Sequence, residues 1–205
     1  MILILVAHPD DEVLGCGGTI AKYAQEGEDI VAIIISDGDP LNKSNEFAIK
    51  RRKESIAAGK ILGINDTVFI GLQDRPFGSD LKDKHVKGRI EKIINKLAPK
   101  IIFTHCPDDP HPVHANIAKL AKEIAQKDNI PLYTFSIGSP FKVKQRDMPR
   151  LYIDISDTFD KKKKALKEFH SQEHWLIYYK LIAQVSNKIA GMHSNHKYAE
   201  VFYKW

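Results

Sequence analysis

Residues 2–27, ILILVAHPDDEVLGCGGTIAKYAQEG, decide how the chain is read. Ile2 to Val6 is an unbroken apolar run. A run that short suits a strand buried on both faces, the habit of parallel sheets. A polar turn of His8, Pro9, Asp10, Asp11 and Glu12 follows, and then an amphipathic stretch over 14–26 that Gly27 closes as helix ends commonly are closed. The unit is strand, polar turn, helix. It recurs down the chain: apolar runs at 30–35, 68–70, 101–103 and 132–135 alternate with helical patterns at 45–62, 85–97 and 113–127, the second of these ending before Pro99. Such repetition predicts right-handed crossovers and an α/β, doubly wound and mainly parallel sheet. Beyond Pro149 the pattern changes. Residues 151–155 alternate like a strand, two helical segments cover about 157–190, and 198–203 reads as a last strand. These are C-terminal additions to one domain, expected to span 1–205.

Composition narrows the function classes. Hydrophobic residues make up 43% and charged residues 28% of the chain, which excludes whole-chain disorder. No apolar run approaches the roughly 20 residues that span a bilayer, and the opening residues lack the basic start of a signal peptide. Cys16 and Cys106 cannot make a disulfide framework and suit a reducing compartment, so a cytoplasmic location is expected. The net charge of +5 is spread along the chain, and its densest run, Lys161 to Lys164, reads as a solvated helix face. Nucleic acid is therefore not an expected partner.

In an open sheet, ligands bind beyond the carboxyl ends of the strands, where the strand order reverses. With the order 3-2-1-4-5, the reversal lies between strands 1 and 4. The loop after strand 1 carries His8, Asp10, Asp11 and Glu12; the loop after strand 4 carries His105, Asp108, Asp109, His111 and His114. His8, Asp11 and His114 are the ligand types that catalytic zinc prefers, with one position left for water. A carboxylate that is not a ligand must then take the water's proton, and Asp10 stands beside Asp11 for that role. A protonated His111 could steady an oxyanion or protonate a leaving nitrogen. Plainer readings compete. Asp10 and Asp11 could only cap the following helix, and His111 and His114 could be polar surface.

The motifs are also recognisable. Ala7-His8-Pro9-Asp10-Asp11-Glu12, followed by Gly15-Cys16-Gly17-Gly18-Thr19, closely resembles the AHPDDE signature of the LmbE/PIG-L family of zinc-dependent N-deacetylases, which implies a Rossmann-like form of the doubly wound α/β fold. Pro107-Asp108-Asp109-Pro110-His111-Pro112-Val113-His114 is similar to the family's P-x-D-x-H-P-D-H motif. Arg51-x-x-Glu54, Lys164-Ala165-Leu166, His170-Ser171-Gln172 and Tyr198-Ala199-Glu200-Val201-Phe202 resemble its later segments, in order. The resemblance implies one zinc per chain on His8, Asp11 and His114, with Asp10 as general base. It places His111 at the carbonyl or the amine, Arg51 (with Arg52 beside it) reaching into the site, Asp74 touching substrate, and His170 near the oxyanion. It implies a small-molecule N-acetyl amino sugar, or a conjugate of one, as substrate, and a homo-oligomer as a state open to the chain.

One position departs from the pattern. Val113 stands where the family usually has an Asp that holds the catalytic histidine protonated, and Asp109 is the candidate replacement. Two rival readings follow: a metal-independent nucleotide- or sugar-binding module built on the glycine turn, and a zinc-binding family member with weak catalysis. The G-x-G-G spacing fits close helix–sheet packing better than a phosphate cradle. Asp37-Gly38 is expected to line the pocket, and Cys16 and Cys106 to be packing residues. Trp175, Tyr178 and Tyr179 read as core packing or a subunit contact ahead of a sugar-stacking platform, and His193 and His196 as surface.

Overall fold

β1 (Ile2–Val6) is buried along its whole length, and its alternate side chains feed two separate cores. Ile2, Ile4 and Val6 point to one face of the sheet; Leu3, Leu5 and then Ala7 point to the other. That is why the run carries no polar residue: helices cover both sides. The computed structural model describes residues 1–39, 45–73, 81, 83–137 and 148–205, and among these the side chains of 173–176 are not described.

The remaining strands are β2 (Ile30–Ser36), β3 (Asp66–Leu72), β4 (Ile101–His105), β5 (Leu132–Phe135), β6 (Arg150–Asp154) and β7 (Ala199–Lys204). The helices are α1 (Asp11–Gln25), α2 (Asn45–Leu62), α3 (Lys84–Leu97), α4 (Pro112–Asp128), α5 (Phe159–Ala165) and α6 (Glu173–His193). The strands form one sheet in the order β3-β2-β1-β4-β5-β7-β6. β1 to β5 run parallel, with Ile2 opposite both Ile30 and Ile101, and the antiparallel pair β7–β6 extends the β5 edge. The expected doubly wound sheet is present, with its reversal between β1 and β4 and its C-terminal strands joined to the same sheet. Helices α1, α2 and α5 contribute to the core of Ile2, Ile4 and Val6; α3 and α4 contribute to that of Leu3 and Leu5. Among the described residues no helix is long and apolar enough to cross a membrane.

The glycines of α1 serve close approach. A Cβ on Gly15 would run into the Phe135 ring, and one on Gly18 would come within 2.6 Å of Ile155. The helix is kinked at Cys16 (φ −144°, ψ 21°), which opens its backbone N–H groups beyond the kink. Gly18 and Thr19 donate those N–H groups to the Glu200 carboxylate of β7, at 3.0 and 2.8 Å. Lys162 completes the arrangement by donating to Glu200 Oε1 (2.6 Å), Asn187 Oδ1 (3.1 Å) and the Leu14 carbonyl (2.9 Å). The close-packing reading of the glycines holds, and one sequence reading is corrected here. The donors that an anion-binding glycine turn would offer to a phosphate are taken by an internal carboxylate. The run from Lys161 to Lys164 is not all solvated face, because Lys162 is buried to 1% exposure as the partner of that carboxylate.

Candidate active site

The two loops expected to meet do meet. His8 and Pro9 follow β1, Asp10 precedes the first turn of α1, and the α4 side chains begin just beyond the loop after β4. Asp10 has φ 119° and ψ −28°, a backbone conformation that side-chain-bearing residues seldom adopt and that costs about 1–3 kcal/mol. The turn separates two adjacent carboxylates. Asp11 Oδ2 accepts the His8 N–H at 2.8 Å and lies 3.3 Å from His8 Nδ1 and 3.4 Å from His114 Nε2. His8 Nδ1 and His114 Nε2 are themselves 3.3 Å apart. Asp10 Oδ2 instead accepts from Arg51 Nη2 at 2.8 Å, and Arg51 also donates to the carbonyls of Pro9 and Gly38.

The donor set fits a metal ion. One ligand atom each from His8, Asp11 and His114 lie within 4.8 Å of one another, and the three side chains are 12%, 5% and 9% exposed. Two imidazoles and a carboxylate with an open side are the ligand chemistry of a catalytic zinc site. The electrostatics agree. Burial pushes Asp11 upward, but His114 and His105 beside it hold its carboxyl well below the usual range. Against burial, the carboxylates of Asp11 and Asp109 raise His114 to about 10. Two carboxylates that converge on one imidazole favour a positive charge between them, and a divalent cation supplies it by displacing the proton.

The surroundings of these ligands are equally ordered. Asp109 Oδ1 lies 3.2 Å from His114 Nδ1 and accepts the His111 N–H at 2.9 Å. A carboxylate on the far nitrogen of a ligating histidine fixes its tautomer and ring orientation. His111 is exposed at the cleft mouth, its ring centroid 4.6 Å from that of His114 and 5.2 Å from that of His8. Burial drives Asp10 up to about 6 even with Arg51 beside it, which poises this carboxyl near neutrality.

The cleft holds about 470 Å³ and is lined by His8, Asp10, Asp11, Arg51, His111 and His114, with Leu14, Gly38, Ile137, Gln172 and Tyr179 among the remainder. Six of the residues singled out in the sequence are therefore brought together. Asp74 lies outside the described residues. His170 sits in a short 3₁₀ turn (His170–Gln172) with its side chain exposed; the described lining takes Gln172 from that turn instead. The turn is pinned by Ser171, whose N–H and Oγ donate to Glu54 at 2.8 and 2.5 Å.

Other residues were not assigned a role from the sequence. His105, at the end of β4, is fully buried and stacks on His114 at 3.9 Å and 8°. Burial pushes its imidazole down to about 4. Its Nε2 lies 3.1 Å from the Ala7 backbone nitrogen and 3.3 Å from Asp11 Oδ2, so the ring backs the ligand carboxylate. A histidine ending a buried strand beside the switch point was the available signal. Tyr179, expected in a core or subunit contact, lines the cleft with 37% exposure; Tyr178 is 60% exposed, so neither is core.

Known proteins share this arrangement of strands. The chain is 28% identical to a 4-oxalmesaconate hydratase of Pseudomonas putida over 205 aligned residues, covering 88% of this chain and 77% of that protein. It is 28% identical to a diacetylchitobiose deacetylase of Thermococcus kodakarensis, covering 97% and 80%. The crystal structure of the 4-carboxy-2-hydroxymuconate hydratase of P. putida superposes with a TM-score of 0.81 at 25% identity, over 99% of this chain and 95% of that one. The family model described as PIG-L, GlcNAc-PI de-N-acetylase, matches residues 3–125, a span that runs from β1 into α4 and carries both loops of the cleft: the chain belongs to the PIG-L/LmbE family.

Proposed function

We propose that the chain is a zinc-dependent deacetylase that hydrolyses the acetamido group of an N-acetylglucosamine-type sugar or its conjugate. One observation carries the reading: adjacent aspartates on one cleft wall face different partners. Asp11 joins His8 and His114, while Asp10 stands apart against Arg51. Zinc held by His8, Asp11 and His114 supplies Lewis acidity and lowers the pKa of water towards neutrality. Asp10 takes the proton of the water whose oxygen bonds to the acetyl carbon. Arg51 keeps the Asp10 carboxylate aimed and ionised. His111, at the mouth, donates to the carbonyl oxygen as negative charge gathers there. The carbon–nitrogen bond breaks, Asp10 returns the proton to the amine nitrogen, and acetate and a free amino sugar leave.

The relative from T. kodakarensis, a diacetylchitobiose deacetylase by name, supports this substrate class. Two free, buried cysteines suit the reducing cytoplasm as the place of reaction. The test is zinc content of the purified chain, with acetate release from N,N'-diacetylchitobiose measured beside it. We expect about one zinc per chain, lost in His114→Ala. Asp10→Asn should keep the zinc and lose about 10²–10⁴-fold in turnover. No zinc after incubation with the metal, or full turnover in Asp10→Asn, would overturn the reading.

The hydratase from P. putida favours a second reading, water addition to an unsaturated polycarboxylate. Such a substrate needs several cations. Among the described lining residues the one permanent cation is Arg51, and both its terminal nitrogens are already engaged. Loss of absorbance from 4-oxalmesaconate, with no acetate from the sugar, would establish this second reading.

A further inference from the structure

The unusual backbone of Asp10 is held from two sides. Its carbonyl accepts the N–H groups of Val13 and Leu14 at 3.0 and 2.9 Å, as a helix-capping residue does. Its own N–H is held by Glu12, whose Oε2 accepts it at 2.9 Å. The other oxygen of that carboxylate accepts from Ser55 Oγ at 2.6 Å. Glu12 and Ser55 are 0% and 2% exposed, and neither lines the cleft. Ser55 sits four residues after Arg51 on α2, one turn along the same face. The helix thus grips the Asp10 turn twice. Arg51 takes the Asp10 carboxylate and the Pro9 carbonyl; Ser55, through Glu12, takes the Asp10 amide.

We propose that Glu12, anchored by Ser55, is a positioning residue for Asp10: its carboxylate fixes the positive-φ turn that points Asp10 at the attacking water and leaves Asp11 to the metal. The inference rests on the reading of Asp10 as general base. A competing explanation is helix capping alone. In a capping box, a Glu at the third helical position reaches back to the N–H of the capping residue; Glu12 does so from the second position. Capping would act on the stability of α1 and leave the chemistry of folded protein untouched. Positioning acts on the turn and on turnover.

The experiment compares Glu12→Gln, Glu12→Ala and Ser55→Ala in the full chain loaded with zinc. It reads hydrogen exchange of the Asp10 amide by NMR, zinc stoichiometry, and kcat and KM for acetate release from N,N'-diacetylchitobiose. Gln keeps an oxygen for the Asp10 N–H and turns its amide to Ser55 Oγ. It should therefore preserve slow exchange and restore most of the turnover lost in Glu12→Ala. Glu12→Ala should speed Asp10 exchange by about tenfold or more. It should lower kcat by about 10- to 100-fold, with one zinc retained and KM nearly constant. Ser55→Ala, the milder change, should shift both readouts in the same direction and keeps the test decisive if Glu12→Ala does not fold. Unchanged Asp10 exchange in the alanine variants would overturn the proposal. So would a fall in kcat that only tracks the folded fraction, or a Gln variant as impaired as the Ala one. If the wild type releases no acetate, the function reading fails, and the exchange measurement still decides whether Glu12 sets the turn.

Discussion

Position 109 shows how much a single residue's role depends on which neighbour its side chain reaches. Beside Val113, Asp109 was expected to replace a missing carboxylate partner of His111. It accepts the backbone N–H of His111, and the imidazole that its carboxylate lies against is that of His114, at Nδ1, the far nitrogen of a candidate ligand. Val113 itself is 8% exposed and packs into the core of Leu3 and Leu5, so an apolar residue there has its own reason. Asp109→Ala should therefore weaken zinc binding by about 10- to 100-fold. Competition with a chromogenic chelator measures this, and turnover at saturating zinc should fall much less. Wild-type zinc affinity with lost turnover would instead make Asp109 the partner of His111. The sequence shows the residue types and their closeness along the loop; it does not show which of two histidine rings, three residues apart, a carboxylate meets.

The elements were legible wherever burial wrote a pattern. β1 and β5 have the bounds that their apolar runs predict, whereas β4 runs on past 103 to His105 because Thr104 and His105, though polar, are buried in the sheet as well. β3 extends to Asp66 and Leu72, beyond the apolar run 68–70, because it is an edge strand whose exposed end is polar. α1 begins at Asp11 rather than 14, since its first turn is built on the Asp10 backbone and not on apolar periodicity. No pattern announces the kink at Cys16, which depends on a carboxylate from the far end of the fold. The bend after β6 carries a prediction of its own. Ser156 Oγ and N–H donate to Asp154 Oδ1 at 2.6 and 3.0 Å. The Ser156 hydroxyl, ahead of its N–H, His196 and Lys22, holds the Asp154 carboxyl below its ordinary value. A depressed carboxylate contributes stability above its unfolded pKa and loses it as pH falls through the folded one. Ser156→Ala should raise the Asp154 pKa in a carbon NMR titration. The part of its Tm deficit due to this group should be present at neutral pH and vanish as pH falls through the folded-state pKa of Asp154. A deficit equal at every pH would assign the loss to the contacts of Ser156 with Tyr198 alone.

Across the whole molecule, the pair of Glu200 and Lys162 ties β7 and α5 to the kinked α1 that begins at the cleft. Both side chains are 1% exposed. Removing one member of such a pair leaves an uncompensated charge in the interior, so Lys162→Met should cost about 3–5 kcal/mol in urea unfolding. A loss below about 1 kcal/mol would mean that Gly18 and Thr19 satisfy Glu200 unaided. From the sequence, Lys162 was one of four lysines in a row, and only the fold distinguishes it. The same geometry bears on how the chain finds its structure. Glu200 meets Gly18 across 182 positions, and His8 meets His114 across 106. Contacts so distant in sequence are slow to close, because loop entropy must be overcome before they give anything back. Local helices can form in microseconds, whereas the ligand cluster waits for β1 to meet β4 and the bent first helix waits for β7. A metal ion at this cluster would therefore arrive only after residues 8 and 114 have met, and a chain that held one would already have joined the two central strands of its sheet.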